Sequence, residues 1–282
     1  MKFYEIRYGR GAKQSLCLTS GIFVFIIALS LISSSVAYAL NPPPIQTYFV
    51  PLPEAQVRTS LLALYSGVGS TMRSVVSFVV TAEGTLVYYD HWEDGYELDI
   101  ANPTQGTSLI FGDDNPANGN AADYCATCAD DTFDSGDVVA LEDNVPLPRN
   151  PASVLFDGRD KFASTENIAV TRAIWAISPG PVMAGAVEVA PVDKWGKEYK
   201  APVGENTSAN DMFQYTSFLI IATKDGTQVQ IDRDGDSVVD VTQTLNQGEG
   251  YQVHGGVNAN ASVNSSKPVQ VHLITGDIGA RY

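Results

Sequence analysis

Beyond residue 70 the hydrophobic positions come in short runs rich in Val, Ile, Thr, Tyr and Phe, broken about every ten residues by Gly, Asn, Asp or Pro. That punctuation predicts strands at Ser74 to Thr81, Thr85 to His91, Thr107 to Phe111, Val138 to Leu141, Ile168 to Trp175, Val182 to Val189, Phe213 to Ala222, Thr227 to Asp232, Val238 to Thr242 and Val269 to Ile274. Turns at Glu83-Gly84 and Asp225-Gly226 are expected to join some of them as hairpins. One stretch has helical spacing instead. Val57, Leu61, Leu64 and Tyr65 recur on one face between Glu54 and Ser66, with Pro53 suited to the first turn and Gly67 to the stop. The expected fold class is mainly β and sandwich-like, with one short helix near the N-terminus.

The pattern also repeats. Thr81 to Asp90 aligns without gaps on Thr223 to Asp232, with identity at Thr, Gly, Thr, Val and Asp and an acid at both Glu83 and Asp225. Each segment follows a strongly apolar run, and Glu166 to Thr171 resembles Lys267 to His272 after a Ser-rich turn. Two related β modules are inferred, residues 51–190 and 191–282, the second ending short at its C-terminal side. Strand alternation puts Val87 and Tyr89 with Val229 and Ile231 on a core face. The opposite face is polar in the second module (Gln228, Gln230) and apolar in the first (Leu86, Tyr88), so it needs a cover. The long stretch from about 101 to 151, absent from the second module, is the expected cover.

The first 40 residues do not fit this pattern. Lys2, Arg7, Arg10 and Lys13 precede an apolar run from Gly21 to Leu29 and an Ala37-Tyr38-Ala39 site, the order of a secretory signal cleaved after Ala39. An uncleaved anchor is the alternative, since Leu16 to Leu40 carries no charge. Residues 40–50, with Pro42-Pro43-Pro44, read as a linker. Removing the leader's four basic residues and one acid from 17 and 32 leaves 13 basic and 31 acidic side chains, a net charge of −18. Such a chain repels nucleic acid and anionic lipid and attracts divalent cations. The expected location is extracellular or on the cell surface, with membrane contact only through the signal or anchor segment.

Candidate chemistry is sparse. Asp232, Asp234, Asp236 and Asp240 share one short loop, a spacing of hard oxygen ligands that suits calcium; Gly235 and Gln243 depart from the EF-hand pattern, and the alternative is a polar hairpin turn. Cys125 and Cys128, the pair left after export, are expected to form a disulfide within an acidic loop. Tyr88 to Glu97 concentrates aromatic rings and carboxylates; Tyr88, Trp92, Glu93 and Tyr96 are the candidate ligand surface, and a sugar stacked there is the rival to plain packing. His91, His254 and His272 are scattered, and no nucleophile or phosphate-binding motif is present. Asn206, Asn260 and Asn264 begin N-x-S/T sequons.

The run Tyr88 to Glu97, with Pro181 to Val189, Lys194 to Tyr199 and Gln270 to Gly279, resembles a group of large, uncharacterised bacterial surface proteins. Across about Pro181 to Gly276, Trp-Gly-Lys-Glu-Tyr, Ile-Ile-Ala-Thr-Lys-Asp-Gly-Thr-Gln-Val, Leu-Asn-Gln-Gly-Glu-Gly-Tyr-Gln-Val and Ser-Ser-Lys-Pro-Val-Gln-Val follow in the order of the amino-terminal domain of IgG-Fc-binding proteins, a more distant resemblance. The resemblance implies an exported, β-rich, non-enzymatic adhesion or protein-binding module with a protein or glycan partner and no catalytic residues to carry over. The rival function is a carbohydrate-binding module or carbohydrate-active enzyme using Tyr88 to Glu97.

Overall fold

The computed structural model describes residues 41–181, 184–207 and 211–278. The expected leader, its cleavage site and the alternative anchor lie outside them. Among the described residues no helix is long and apolar enough to cross a membrane. The strands are β1 (Gln46–Phe49), β2 (Thr71–Val80), β3 (Val87–Asp90), β4 (Leu109–Phe111), β5 (Val138–Pro146), β6 (Lys161–Ser164), β7 (Ile168–Ala176), β8 (Ala184–Glu188), β9 (Gly196–Lys200), β10 (Tyr215–Ala222), β11 (Thr227–Asp232), β12 (Val241–Leu245), β13 (Gly250–Val253) and β14 (Ser262–Gly276), with one α-helix, α1 (Glu54–Leu64). They form antiparallel sheets ordered β1-β6-β3-β4, β5-β2-β7-β8 and β12-β11-β14-β10-β13, with β9 also on β14. The mainly β, sandwich-like class read from the sequence is what the chain adopts.

The two predicted hairpins do not form. β2 and β3 are not neighbours, and neither are β10 and β11. Instead each pair flanks one line of chain: β2 pairs with β7 and β3 with β6 in the first half, while β10 and β11 lie on opposite sides of β14 in the second. A break at Thr165 to Asn167 separates β6 from β7, whereas β14 runs through the equivalent point with a bulge. The turns at Gly84 (φ 70°) and Gly226 (φ 61°) thus carry the chain across this central line, not back along itself.

The registers of the two halves coincide. Val87 pairs with Ser164 as Val229 pairs with Ser265, and Val80 with Ile168 as Ala222 with Val269. Tyr48 of β1 lies opposite Phe162 as Tyr199 of β9 lies opposite Val263, and the hydroxyls donate to equivalent carbonyls, Ile168 (3.1 Å) and Val269 (2.5 Å). The Leu86 amide donates to the Thr165 hydroxyl as the Gln228 amide does to Ser266, both at 2.9 Å. Strand β1 falls inside the expected linker, because the prolines end at Pro44 and Gln-Thr-Tyr-Phe can pair along its whole length. Likewise β4 and β5, inside the expected covering stretch, are framework strands on β3 and β2. What the first half adds is two loops, His91 to Ser108 and Gly112 to Asp137.

Burial alternates along β2 and β7, as a half-buried strand requires. Tyr48, Tyr89 and Phe162 of one first-half sheet meet Phe78, Leu141 and Val170 of the other in one core. Phe218, Ile220, Val229, Ile231 and Val263 form the core of the second half. Helix α1 lies between: Val57, Leu61 and Leu64 pack against Met72 and Ile174 and against Tyr215 and Leu219. An eleven-residue helix is marginal alone. Each buried aliphatic side chain contributes about 1.5–3 kcal/mol relative to exposure, which fixes α1 in place and covers the second face of β10, where every residue is buried.

Candidate functional site

Strand β3 sends Tyr88 and Tyr89 to opposite faces. Tyr88 is fully buried under Ile100, Ala101 and Ile110, and its hydroxyl donates to the Pro42 carbonyl at 2.7 Å. The apolar outer face is therefore covered, and a ligand has no access to this ring. Tyr89 enters the core and donates to Asp160 Oδ2 at 2.8 Å. Burial pushes its pKa well up.

Asp160 collects several further donors: the Trp92 amide (3.3 Å), the Asp157 amide (3.1 Å) and His91 Nδ1 (3.3 Å), which also bonds the Leu155 carbonyl at 3.0 Å. Burial works to lower the pKa of His91, but the hydrogen bond and charge of Asp160, the charge of Glu93 and the Leu155 carbonyl hold it above the usual value. Asp90 is fully buried and accepts from the Glu97 amide (2.8 Å) and Lys161 Nζ (3.3 Å). Arg149 bridges Glu93 and Asp157. Trp92 Nε1 donates to the other Asp157 oxygen at 2.8 Å. Burial, then the charges of Glu54 and Asp160, push Asp157 up to about 8 against the pull of Arg149. Behind this layer Arg172, fully buried, reaches Glu54 at 2.5 Å, and Glu54 also accepts from the Gly158 amide. A second ring of acids and bases thus surrounds the segment read as an aromatic cluster.

The network opens on a cleft of about 280 Å³ lined by Pro53, Gln56, Trp92, Arg149, Arg159 and Glu249 among others. The guanidinium of Arg159 stacks 4.1 Å from the Trp92 ring centroid, so one face of the indole is already occupied. Arg159 adopts φ 92°, held by its amide to the Val50 carbonyl, its carbonyl to the Tyr96 hydroxyl, and its Nε to the Gly248 carbonyl. Tyr96 packs edge-on against Phe49. A Cβ on Gly248 would fall 1.6 Å from the Tyr96 hydroxyl, so this contact between the halves requires glycine there. Of the candidate ligand surface, Trp92 lines the cleft, Glu93 is ion-paired beside it, Tyr96 braces it from behind, and Tyr88 is elsewhere.

Asp232, Asp234 and Asp236 bring carboxylate oxygens within 4.8 Å of one another at the tip of the β11–β12 hairpin. Asp232 accepts from the Gly235 and Ser237 amides (2.7 and 2.8 Å), and Asp236 from Val238. Asp240 stands apart and accepts the Arg233 amide at 2.7 Å. Cys125 and Cys128 are joined by a disulfide in the Gly112 to Asp137 loop, where Cys125 bridges to Val139 of β5.

Sequence reasoning missed Glu54, Arg149, Asp157, Arg159, Asp160, Lys161 and Arg172. The available signal was Asp157-Gly-Arg-Asp-Lys161, a dense run of mixed charge entering a strand, and an arginine at a core position of β7. No curated protein and no solved structure matches the chain. Residues 185–278, from β8 to just past the end of β14, match the family model described as IgGFc binding protein.

Proposed function

We propose that this chain is an exported, non-enzymatic protein-binding module of the cell surface or extracellular space, built from two copies of one β framework. The observation that carries it is the match of residues 185–278 to a family named for binding the Fc part of an antibody. The polar network supports a structural role for the first copy, because its carboxylates face arginine, lysine and backbone amides that hold them in place. The Asp232 loop is read as a calcium-stabilised hairpin tip. A protein ligand is the expectation, and an IgG Fc fragment is the first candidate.

The test is biolayer interferometry of residues 40–282 against Fc fragments and a panel of purified extracellular proteins, beside a glycan array. Saturable binding to a protein, unchanged by Trp92→Ala, is the expected result. Specific sugar binding abolished by Trp92→Ala, without any protein ligand, would move the function to carbohydrate recognition in the cleft.

A further inference from the structure

Among the described residues one buried ion pair joins a lysine to a carboxylate: Lys161 of β6 and Asp90 of β3, directly opposite each other on neighbouring strands. Arg149 and Arg172 of the same network stay protonated, whereas an amine shielded from water can lose its proton and become a nucleophile. Asp90 is fully buried and Lys161 is 8 % exposed. Asp90 Oδ2 accepts the Glu97 amide at 2.8 Å and Lys161 Nζ at 3.3 Å, and Nζ also donates to the Glu97 carbonyl at 2.8 Å. Asp90 Oδ1 is buried without a hydrogen-bond partner. As an ion pair this arrangement is incomplete, since a buried carboxylate ordinarily fills both of its oxygens. As an amide it is complete. Oδ2 becomes the carbonyl oxygen, already on the Glu97 amide; Nζ becomes the amide nitrogen, already on the Glu97 carbonyl; and the unpartnered Oδ1 is the atom that leaves. Burial raises the Asp90 carboxyl above its ordinary value against the pull of the Glu97 amide and Lys161, which favours the neutral acid and amine over the two ions.

We propose that Asp90 and Lys161 are joined by an intramolecular isopeptide bond that locks β3 to β6. The carboxyl first takes one proton from the ammonium along the hydrogen bond they share. Nζ then forms a bond to Cγ, while the Glu97 amide stabilises the charge that develops on Oδ2. The Cγ–Oδ1 bond breaks, and Oδ1 leaves as water with two of the three ammonium protons; the third stays on the amide nitrogen. Nothing else is consumed. Groups held this way reach effective molarities of ~10⁵–10⁸ M, and exclusion of water slows the reverse hydrolysis. The second copy cannot make the bond, because Ser262 stands opposite Asp232. Both loops added to the first copy lie between Asp90 and Lys161, so the bond closes off the very segment that the second copy lacks.

The experiment is mass spectrometry of the purified chain with its cysteines reduced. The wild-type protein is expected to weigh one water less than the linear chain of the same residues. Trypsin should leave the chain uncut after Lys161 and release a branched peptide that carries Asp90 and Lys161 together. Lys161→Arg keeps the cation but presents a guanidinium that is not acylated, and Asp90→Ala removes the acid; each should restore the missing water. In a denaturing gel the wild type should run ahead of both variants, because the chain stays closed over 71 residues. Full mass in the wild type, with Asp90 and Lys161 in separate peptides, leaves an ion pair and overturns the proposal. A water missing from both variants as well places the loss elsewhere, at a cyclised aspartate such as Asp157 before Gly158, and also overturns it.

Discussion

Asp90 and Asp232 stand at the same place in two copies of one strand framework, and their surroundings differ in kind. Asp90 is fully buried beside Lys161, with Asp160 next in the chain. At the matching positions beside Asp232 the second copy has Ser262 and Ala261, and its aspartate turns to the amides of its own loop. Deeper in, Val76 lies opposite Arg172 in the first copy where Phe218 lies opposite Leu273 in the second. One backbone therefore tolerates an ionic interior or an apolar one, provided each is internally complete. The difference follows the company each copy keeps: α1 brings Glu54 and its N-terminus against β7, and an anion buried there needs Arg172.

The most disruptive way to break this comparison is to give the first copy the second copy's residue. Arg172→Leu should cost about 3–5 kcal/mol, because it strands Glu54, buried at the wall of the cleft, without its cation. Adding Glu54→Gln should recover a substantial part, as the apolar solution of the second copy requires. Urea denaturation of the two single variants and the double measures this. A loss below about 1 kcal/mol for Arg172→Leu would mean that water from the cleft solvates Glu54 in place of the guanidinium.

Acidity probes the same contrast. Asp157 keeps its proton in the folded chain from the ordinary carboxylate range up to about 8, where the unfolded chain has lost it. Stability from this group is therefore full at low pH and falls as pH rises through that window. His91, held above its usual value, acts in the same sense: its contribution is complete below the unfolded value and is lost as pH rises through the folded one. The melting temperature should thus be a few degrees higher near pH 6 than near pH 8.5, and Asp157→Asn should flatten the profile. A wild-type profile no steeper than that of Asp157→Asn would show that Asp157 is ionised in its pair with Arg149.

Legibility followed the length of the apolar pattern and not burial alone, since β6 is buried at every residue. Strands with an inward apolar face, such as β2, β7 and β10, were readable because their alternation or apolar run is long. Four short strands were not: β1, β6, β9 and β13 have only four or five residues, and β9 is a polar edge, Gly-Lys-Glu-Tyr-Lys. Val238 and Val239 looked like a strand start but are exposed in the loop, and pairing begins at Val241. Hairpins were inferred from good turn residues, yet a turn residue specifies a change of direction and not the neighbour that follows. The repeat was legible since Thr, Gly, Thr, Val and Asp recur where the turn and core need them. The charge network was not, because Glu54, Arg149 and Arg172 meet only after the chain has folded.

The added loops sharpen the comparison, since the second copy lacks them. Reducing Cys125–Cys128, or replacing both by Ser, should cost at most about 2 kcal/mol, because the closed loop is short. Hydrogen exchange should rise in Gly112 to Asp137 and at β5 while β10 to β14 stay protected. Faster exchange in the second half would mean that the loop supports both copies.

The smallest expected effect lies in the hairpin tip that the second copy keeps short. Asp232, Asp234 and Asp236 crowd their oxygens together, and the chain's net charge of −15 adds repulsion that a cation would relieve. A ligand that binds only the folded state stabilises it by RT ln(1 + [L]/Kd), so millimolar calcium on a site of roughly 10⁻⁴ M gives about 1.4 kcal/mol. Asp232→Asn with Asp234→Asn should remove most of that gain. Asp240→Asn should leave most of it, since Asp240 is engaged with the Arg233 amide. Calorimetry with calcium and with a chelator separates these outcomes. Superimposable curves would make the tip a polar turn held by its own amides, and the two copies would then differ in their charges without either using a metal.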